Sequence, residues 1–80
     1  MRVVIADDEK FVLVVLKSAL RSVRFPIEIV GEALDGDDAY RLCCKKKPDL
    51  LITDICMPRK DGLDLFAKLR ETQPELPVII

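Results

Sequence analysis

Short apolar runs alternate along this 80-residue chain with amphipathic segments. Four runs predict strands: Arg2 to Ala6, Ile27 to Val30, Leu50 to Thr53 and Pro77 to Ile80. A continuous run of this kind is typical of a parallel strand that is buried on both faces of its sheet. The alternation of strands and helices therefore predicts one α/β domain, an open parallel sheet with right-handed crossovers and helices on both faces.

The segments between these runs have helical periodicity. The first predicted helix lies within Lys10 to Val23, the second starts at the turn formed by residues 35–38 and ends before Pro48, and the third runs from about Leu63 to Glu71. The residues predicted to face the core are Val12, Val15, Leu16, Ala19, Leu20 and Val23 in the first helix, Ala39, Leu42 and Cys43 in the second, and Leu65, Phe66 and Leu69 in the third. The charge of Glu28 favours an edge position for the second strand.

The composition excludes several classes of protein. The formal net charge is −1, which argues against a general nucleic-acid-binding or membrane-binding surface. The chain has three cysteines and no histidine, so neither a zinc site nor a disulfide scaffold is expected, and a reducing compartment is favoured. The N-terminus lacks the pattern of a signal peptide, and no apolar run is long enough to span a bilayer. We therefore expect a cytoplasmic protein.

Three carboxylates follow predicted strands. Asp7 and Asp8 come directly after the first strand, and Asp54 comes directly after the third. If these strands are neighbours, the three side chains meet at the edge where ligands bind in open α/β sheets. Close carboxylates repel one another unless a cation neutralises them, and an all-oxygen site suits Mg²⁺. Taken singly, Asp7 and Asp8 also suit a helix N-terminus, and Asp54 also suits a turn.

The chain resembles the receiver domains of two-component response regulators. The resemblance is carried by the segments VVIADDE, VGEALDGDDAYRL, KPDLLITDICMPRKDGLDL and PVII, in that order. Its most specific part is the loop pattern D-x-x-M-P-x-x-D-G, which spans Asp54 to Gly62. The resemblance implies a flavodoxin-like, doubly wound parallel sheet with strand order 2-1-3-4-5. Here it would be incomplete, with strands one to four and helices one to three.

The resemblance also implies roles for individual residues. Asp54 would accept a phosphoryl group from a histidine kinase, a phosphotransfer protein or a small phosphodonor. Asp8 and Asp54 would ligate Mg²⁺, with Mn²⁺ as a substitute, and Asp7 would hold the ion through water. The backbone carbonyl of Cys56 would be a further ligand.

The loop that carries Met57 and Pro58 would border the phosphate site. Pro58 would stiffen this loop, and Gly62 would adopt a backbone conformation closed to other residues.

The resemblance further implies that residues 1–80 are the N-terminal portion of a receiver, which runs to about 120 residues, a common domain size. A serine or threonine after the fourth strand and a lysine after the fifth would lie beyond Ile80. No output domain is expected within these residues, and hence no direct contact with nucleic acid. The implied function is phosphorelay signalling that regulates transcription, with at most slow self-phosphorylation and self-dephosphorylation and no enzyme activity in the ordinary sense.

Two alternatives stay open. The chain could be a receiver fragment impaired in phosphotransfer that acts only as a binding or oligomerisation module. A small Mg²⁺-dependent phosphatase is the other, but it needs a D-x-D pair after a strand, whereas Asp7 and Asp8 are adjacent. We also expect a homodimer through the open sheet edge or through uncovered faces. Val14, flanked by Leu13 and Phe11, lies opposite the predicted core stripe and is a candidate for such an interface.

Overall fold

The computed structural model describes residues 1–54 and 62–79 of the chain. The elements in chain order are β1 Arg2–Ala6, α1 Lys10–Arg21, β2 Glu28–Ala33, α2 Gly36–Lys46, β3 Leu50–Thr53, α3 Gly62–Thr72 and β4 Val78–Ile79. The strands form one parallel sheet in the order β2-β1-β3-β4. The predicted α/β architecture is confirmed, and β2 lies at the predicted edge.

The central strand β1 separates two apolar clusters. Its side chains alternate between the two faces of the sheet, and Val3, Val4 and Ile5 are all fully buried. On one face Val4 packs with residues of α2, α3 and β3. On the other face Val3 and Ile5 pack with α1 through Leu13. Burial on both faces is the reason why the first run is apolar at consecutive positions.

The first helix buries a different stripe from the predicted one. Leu13 is 4% exposed, and Leu16 and Leu20 pack beside it at helical spacing. The prediction that Val15, Ala19 and Val23 face the core is wrong, because all three residues are exposed. Likewise, Leu13 belongs to the core and not to an interface. Residues 11–16 are apolar without a break, so periodicity alone does not choose a face; the contact with the sheet does.

The second strand extends farther than predicted. It continues through Gly31 to Ala33, because an irregularity in the register, with Val3 opposite Ile29 but Val4 opposite Gly31, keeps the ladder intact. A Cβ atom at Gly31 would lie 3.1 Å from the side chain of Leu42 on α2. Glycine thus lets α2 pack close to the backbone of β2.

The second helix begins and ends where the sequence predicts, and both of its termini are capped. The Asp35 side chain accepts a hydrogen bond of 2.8 Å from the backbone N–H of Asp38 at the N-terminus. At the C-terminus Lys47 is left-handed, with φ of 48°, and the Arg2 guanidinium donates to the Lys46 carbonyl at 2.6 Å. This last bond ties the start of β1 to the end of α2.

The remaining elements agree with the prediction within one or two residues. The third helix contributes Leu69, which is fully buried as predicted, to the core. The predictions for the side chains of Leu65 and Phe66, and for Ile80, lie outside what the structure describes. In the described parts of the chain, no helix has the length and apolar character needed to cross a membrane.

We predict that the two neighbouring thiols of α2 differ in reactivity. Burial and, to a smaller extent, the neighbouring Cys44 together raise the pKa of Cys43 from 9.0 to about 12. Iodoacetamide should therefore label the exposed Cys44 but not Cys43 at neutral pH, and peptide mass mapping would locate the label.

The same shift predicts a pH dependence of stability. The pKa of Cys43 is higher in the folded than in the unfolded state. The protonated thiol therefore contributes fully to the free energy of unfolding below pH 9, and this contribution is lost as the pH rises towards about 12. Cys43→Ala should remove this alkaline loss. For the labelling experiment, equal modification of Cys43 and Cys44 in the folded protein would contradict the buried position of Cys43.

Candidate functional site

The sheet brings the ends of β1 and β3 together. The two strands are parallel neighbours, and Ala6 lies opposite Thr53 at their carboxyl ends. The ladder continues past the strands, because the backbone N–H of Asp54 donates to the Ala6 carbonyl at 3.1 Å. On the other side, the N–H of Asp7 donates to the Ala33 carbonyl of β2 at 3.0 Å. The backbone of both aspartates is thus held by the sheet.

Three carboxylates converge at this edge. Asp7, Asp8 and Asp54 each place one carboxylate oxygen so that the three oxygens lie within 4.8 Å of one another. Asp7 and Asp54 are half-buried, whereas Asp8 is exposed. The predicted convergence is confirmed, and the roles of the three side chains remain predictions.

The start of α1 does not account for these acidic residues. Its N-cap is Glu9, whose side chain makes no capping hydrogen bond. Asp7 accepts from the Glu9 N–H through Oδ1 at 2.9 Å, which is a local turn contact. The helix N-terminus is therefore a weaker explanation of Asp7 and Asp8 than the acidic site that the sequence also predicted.

Sequence reasoning missed the contribution of Thr53. This residue is 5% exposed, and its hydroxyl donates to the backbone carbonyl of Asp54 at 3.2 Å. The hydrogen bond satisfies a buried polar group and fixes the backbone next to Asp54. A polar β-branched residue at the end of an apolar run was the available signal.

The donor set fits a hard divalent cation. Two oxygens bound to one Mg²⁺ ion lie at most about 4.2 Å apart, since each bond is about 2.1 Å. Oxygens that lie within 4.8 Å of one another are close to this spacing, and a water between one carboxylate and the ion would bridge a longer gap. Three like charges at this distance also favour an ion that neutralises them.

The rest of the predicted site is only partly described. Cys56, Met57 and Pro58 lie outside the described residues. Gly62 is the first residue of α3, and the backbone conformation predicted for it stays a prediction.

Comparison with known proteins identifies this arrangement. The family model for the response regulator receiver domain matches residues 3–80. The transcriptional regulatory protein PdtaR of Mycobacterium tuberculosis is 46% identical over 68 residues, which cover 85% of this chain and 32% of that protein. The chain spans about a third of the length of the curated relatives it matches.

Solved structures share the fold. The response regulator domain of Thermotoga maritima CheB superposes with a TM-score of 0.86 at 32% identity, over 92% of this chain and 55% of that chain. RcsB from Salmonella enterica serovar Typhimurium, bound to a promoter in the presence of a phosphomimetic, superposes with a TM-score of 0.86 at 31% identity, over 98% of this chain and 40% of that chain. The fold shared with these structures thus agrees with the family match.

We predict that Asp8→Asn stabilises the metal-free protein. Removing one of three close negative charges relieves repulsion of up to about 1 kcal/mol at low ionic strength. Urea unfolding in the presence of EDTA measures the difference. Glu28→Gln, an exposed change of the same charge at the other end of the sheet, is the control. A lower free energy of unfolding for Asp8→Asn than for the unmodified protein would contradict the repulsion.

Proposed function

The chain belongs to the response regulator receiver domain family, and from that premise we propose that it accepts a phosphoryl group on Asp54. A receiver is a signalling domain of two-component systems and not an enzyme in the ordinary sense. The observation that supports the proposal is the meeting of the Asp7, Asp8 and Asp54 carboxylates at the edge of the sheet. A cluster of this kind combines a nucleophile with ligands for a cation.

Asp54 suits the role of nucleophile. A carboxylate oxygen of Asp54 forms a bond to phosphorus while the bond from phosphorus to the donor breaks, and the donor keeps the electron pair. The product is an acyl phosphate. The backbone hydrogen bond to Ala6 and the Thr53 contact hold the backbone of Asp54 in place, so the backbone needs little further ordering at the moment of transfer.

Asp8 and Asp54 are the proposed direct ligands of Mg²⁺, or of Mn²⁺ in its place. Asp7 would hold the ion through water, and the Cys56 carbonyl would complete the protein ligands. The bound ion supplies positive charge that offsets the charge of the phosphoryl oxygens. Asp8 is the exposed member of the three, which leaves room for water and phosphate oxygens on its side.

The donors we propose are a histidine kinase or a phosphotransfer protein, with small phosphodonors acting more slowly, in the cytoplasm. The name of PdtaR and the promoter-bound RcsB structure support a role in regulating transcription. That role would be exercised through an output domain outside residues 1–80. Within these residues we propose no direct contact with nucleic acid or membrane.

A second candidate function is a binding or oligomerisation module without phosphotransfer. The exposed apolar residues of α1, with Phe11 75% exposed and Val14 56% exposed, favour a protein contact there. This candidate differs from the first in leaving Asp54 unmodified.

Incubation with acetyl phosphate and Mg²⁺ should add one phosphoryl group to the chain, at Asp54. Intact mass spectrometry follows the gain. Asp54→Asn should abolish it, while Asp49→Asn, at the opposite end of β3, should retain it. Absence of any gain favours the binding module, and continuous release of phosphate favours a phosphatase.

Asp8→Asn should weaken Mg²⁺ binding by about tenfold or more, because one direct ligand and one negative charge are lost. Isothermal titration calorimetry measures the affinity, and Glu28→Gln serves as the control for net charge. An unchanged affinity in Asp8→Asn would rule out the proposed ligand set.

A further inference from the structure

The outer edge of β2 is open. In the part of the chain that the structure describes, no strand pairs with β2 on the side away from β1. The N–H of Glu28 and the carbonyl of Ala33 bond to backbone groups at the two ends of β1. Because backbone groups alternate along a strand, the neighbouring residues Ile29 and Glu32 direct their N–H and carbonyl groups away from β1. An edge of this kind is a template for a further extended segment.

Grooves flank this edge on both faces of the sheet. On the face covered by α2, Leu42 gives an apolar lining to an open groove of about 350 Å³. On the face covered by α1, Leu20, Ile27 and Ile29 do the same for a groove of about 280 Å³. Side chains of an extended segment alternate between its two sides, so a segment added to β2 would place them in the two grooves by turns.

Each groove contains one ion pair of its own. In the groove beside α1, the Lys17 ammonium lies 3.1 Å from the Glu32 carboxylate. In the groove beside α2, the Arg41 guanidinium lies 2.6 Å from the Asp38 carboxylate. Both pairs lie at the surface and add little to stability, but they leave these four charges matched.

Each groove also contains a cation without an ion pair. Arg21 lines the groove beside α1, Lys45 lines the groove beside α2, and both are exposed. Neither of them has a carboxylate partner among the described residues. The exposed Glu28, at the start of β2, lines neither groove. The charge at this edge is therefore complementary to an acidic partner, although the whole chain has a net charge of −1.

We propose that the outer edge of β2 binds a short extended segment of a partner protein, apolar at its centre and acidic at its ends. The backbone of the segment pairs with the outward groups of Ile29 and Glu32. Its central side chains enter the two grooves, and its carboxylates reach Arg21 and Lys45. The backbone pairing supplies affinity, and the grooves and cations supply specificity.

The irregular register of β2 selects a short occupant. It separates the outward residues Ile29 and Glu32 by three positions, where a regular strand would separate them by two. A long, flat strand does not match such an edge, whereas a short flexible segment adapts to it. The contact is smaller than a standard interface and should be weak. It lies on the other side of β1 from Asp54, so it goes beyond the proposed phosphotransfer.

A capped synthetic peptide with two glutamates on each side of Val-Ile-Val-Thr tests the proposal. Added to the ¹⁵N-labelled chain, it should shift the amide signals of Ile29 and Glu32 and slow their exchange with solvent, while the signal of Asp54 stays in place. A peptide with lysines in place of the glutamates should bind about tenfold more weakly or less. An acidic peptide methylated at every backbone nitrogen keeps its charge but cannot donate to the edge, so it should not bind.

Charge reversal tests the cations. Lys45→Glu should weaken binding of the acidic peptide by about fivefold, the effect of one exposed ion pair. Lys68→Glu, the same reversal on α3, should leave it unchanged. Acetyl phosphate separates this inference from the proposed function, because Lys45→Glu should keep the mass gain at Asp54.

Several results would overturn the proposal. These are no binding at millimolar peptide, equal binding of the methylated peptide, shifts centred on the acidic site, and an unchanged affinity in Lys45→Glu. Binding of a single-stranded oligonucleotide at these amides in place of the peptide would also overturn it and assign the cations to phosphate. Concentration-dependent shifts of Ile29 and Glu32 without any peptide would do so as well and assign the edge to a second copy of the chain.

Discussion

The backbone hydrogen bonds on both sides of β1 are the constraint on which the site depends. They set the register between β1 and its neighbours β2 and β3, and they continue into the residues that follow the strands. A slip of one residue would move the carboxylate by about 3.3 Å along the strand and turn every side chain of that strand to the other face. The burial of Val3, Val4 and Ile5 on two faces resists that slip. Packing of the core therefore also sets the distance between Asp7 and Asp54.

The acidic site works against local stability. Three negative charges within 4.8 Å repel, and capping of α1 does not compensate for Asp8. Buried apolar side chains on both faces of the sheet hold the strand ends in spite of this repulsion. A bound cation would reverse the sign of the local interaction. Cation binding and folding should therefore reinforce each other in this domain.

Sequence patterns predicted elements well where one physical signal dominated. The bounds of β1 and β3 follow from uninterrupted apolar runs, and α2 follows from its capping residue Asp35. The patterns failed where a tertiary contact made the choice. The apolar residues of α1 fit two faces, and packing against the sheet selected that of Leu13. The extension of β2 to Ala33 depended on the irregular register opposite Val3 and Val4, which no local pattern contains. For the site, the strand order was enough to predict that Asp54 lies near Asp8. The hydrogen bond of the Thr53 hydroxyl could not be predicted, because it depends on the burial of that side chain.

The claim that the sheet builds one cation site at its carboxyl edge can be tested most directly by paramagnetic line broadening. Substoichiometric Mn²⁺ added to the ¹⁵N-labelled protein should broaden the amide signals of Asp7, Asp8 and Asp54 first. The signals of Glu28 and Asp49, at the opposite end of the strands, should stay sharp, and excess Mg²⁺ should reverse the broadening. Broadening centred on residues 35–38, or spread evenly over the exposed acidic residues, would contradict the account.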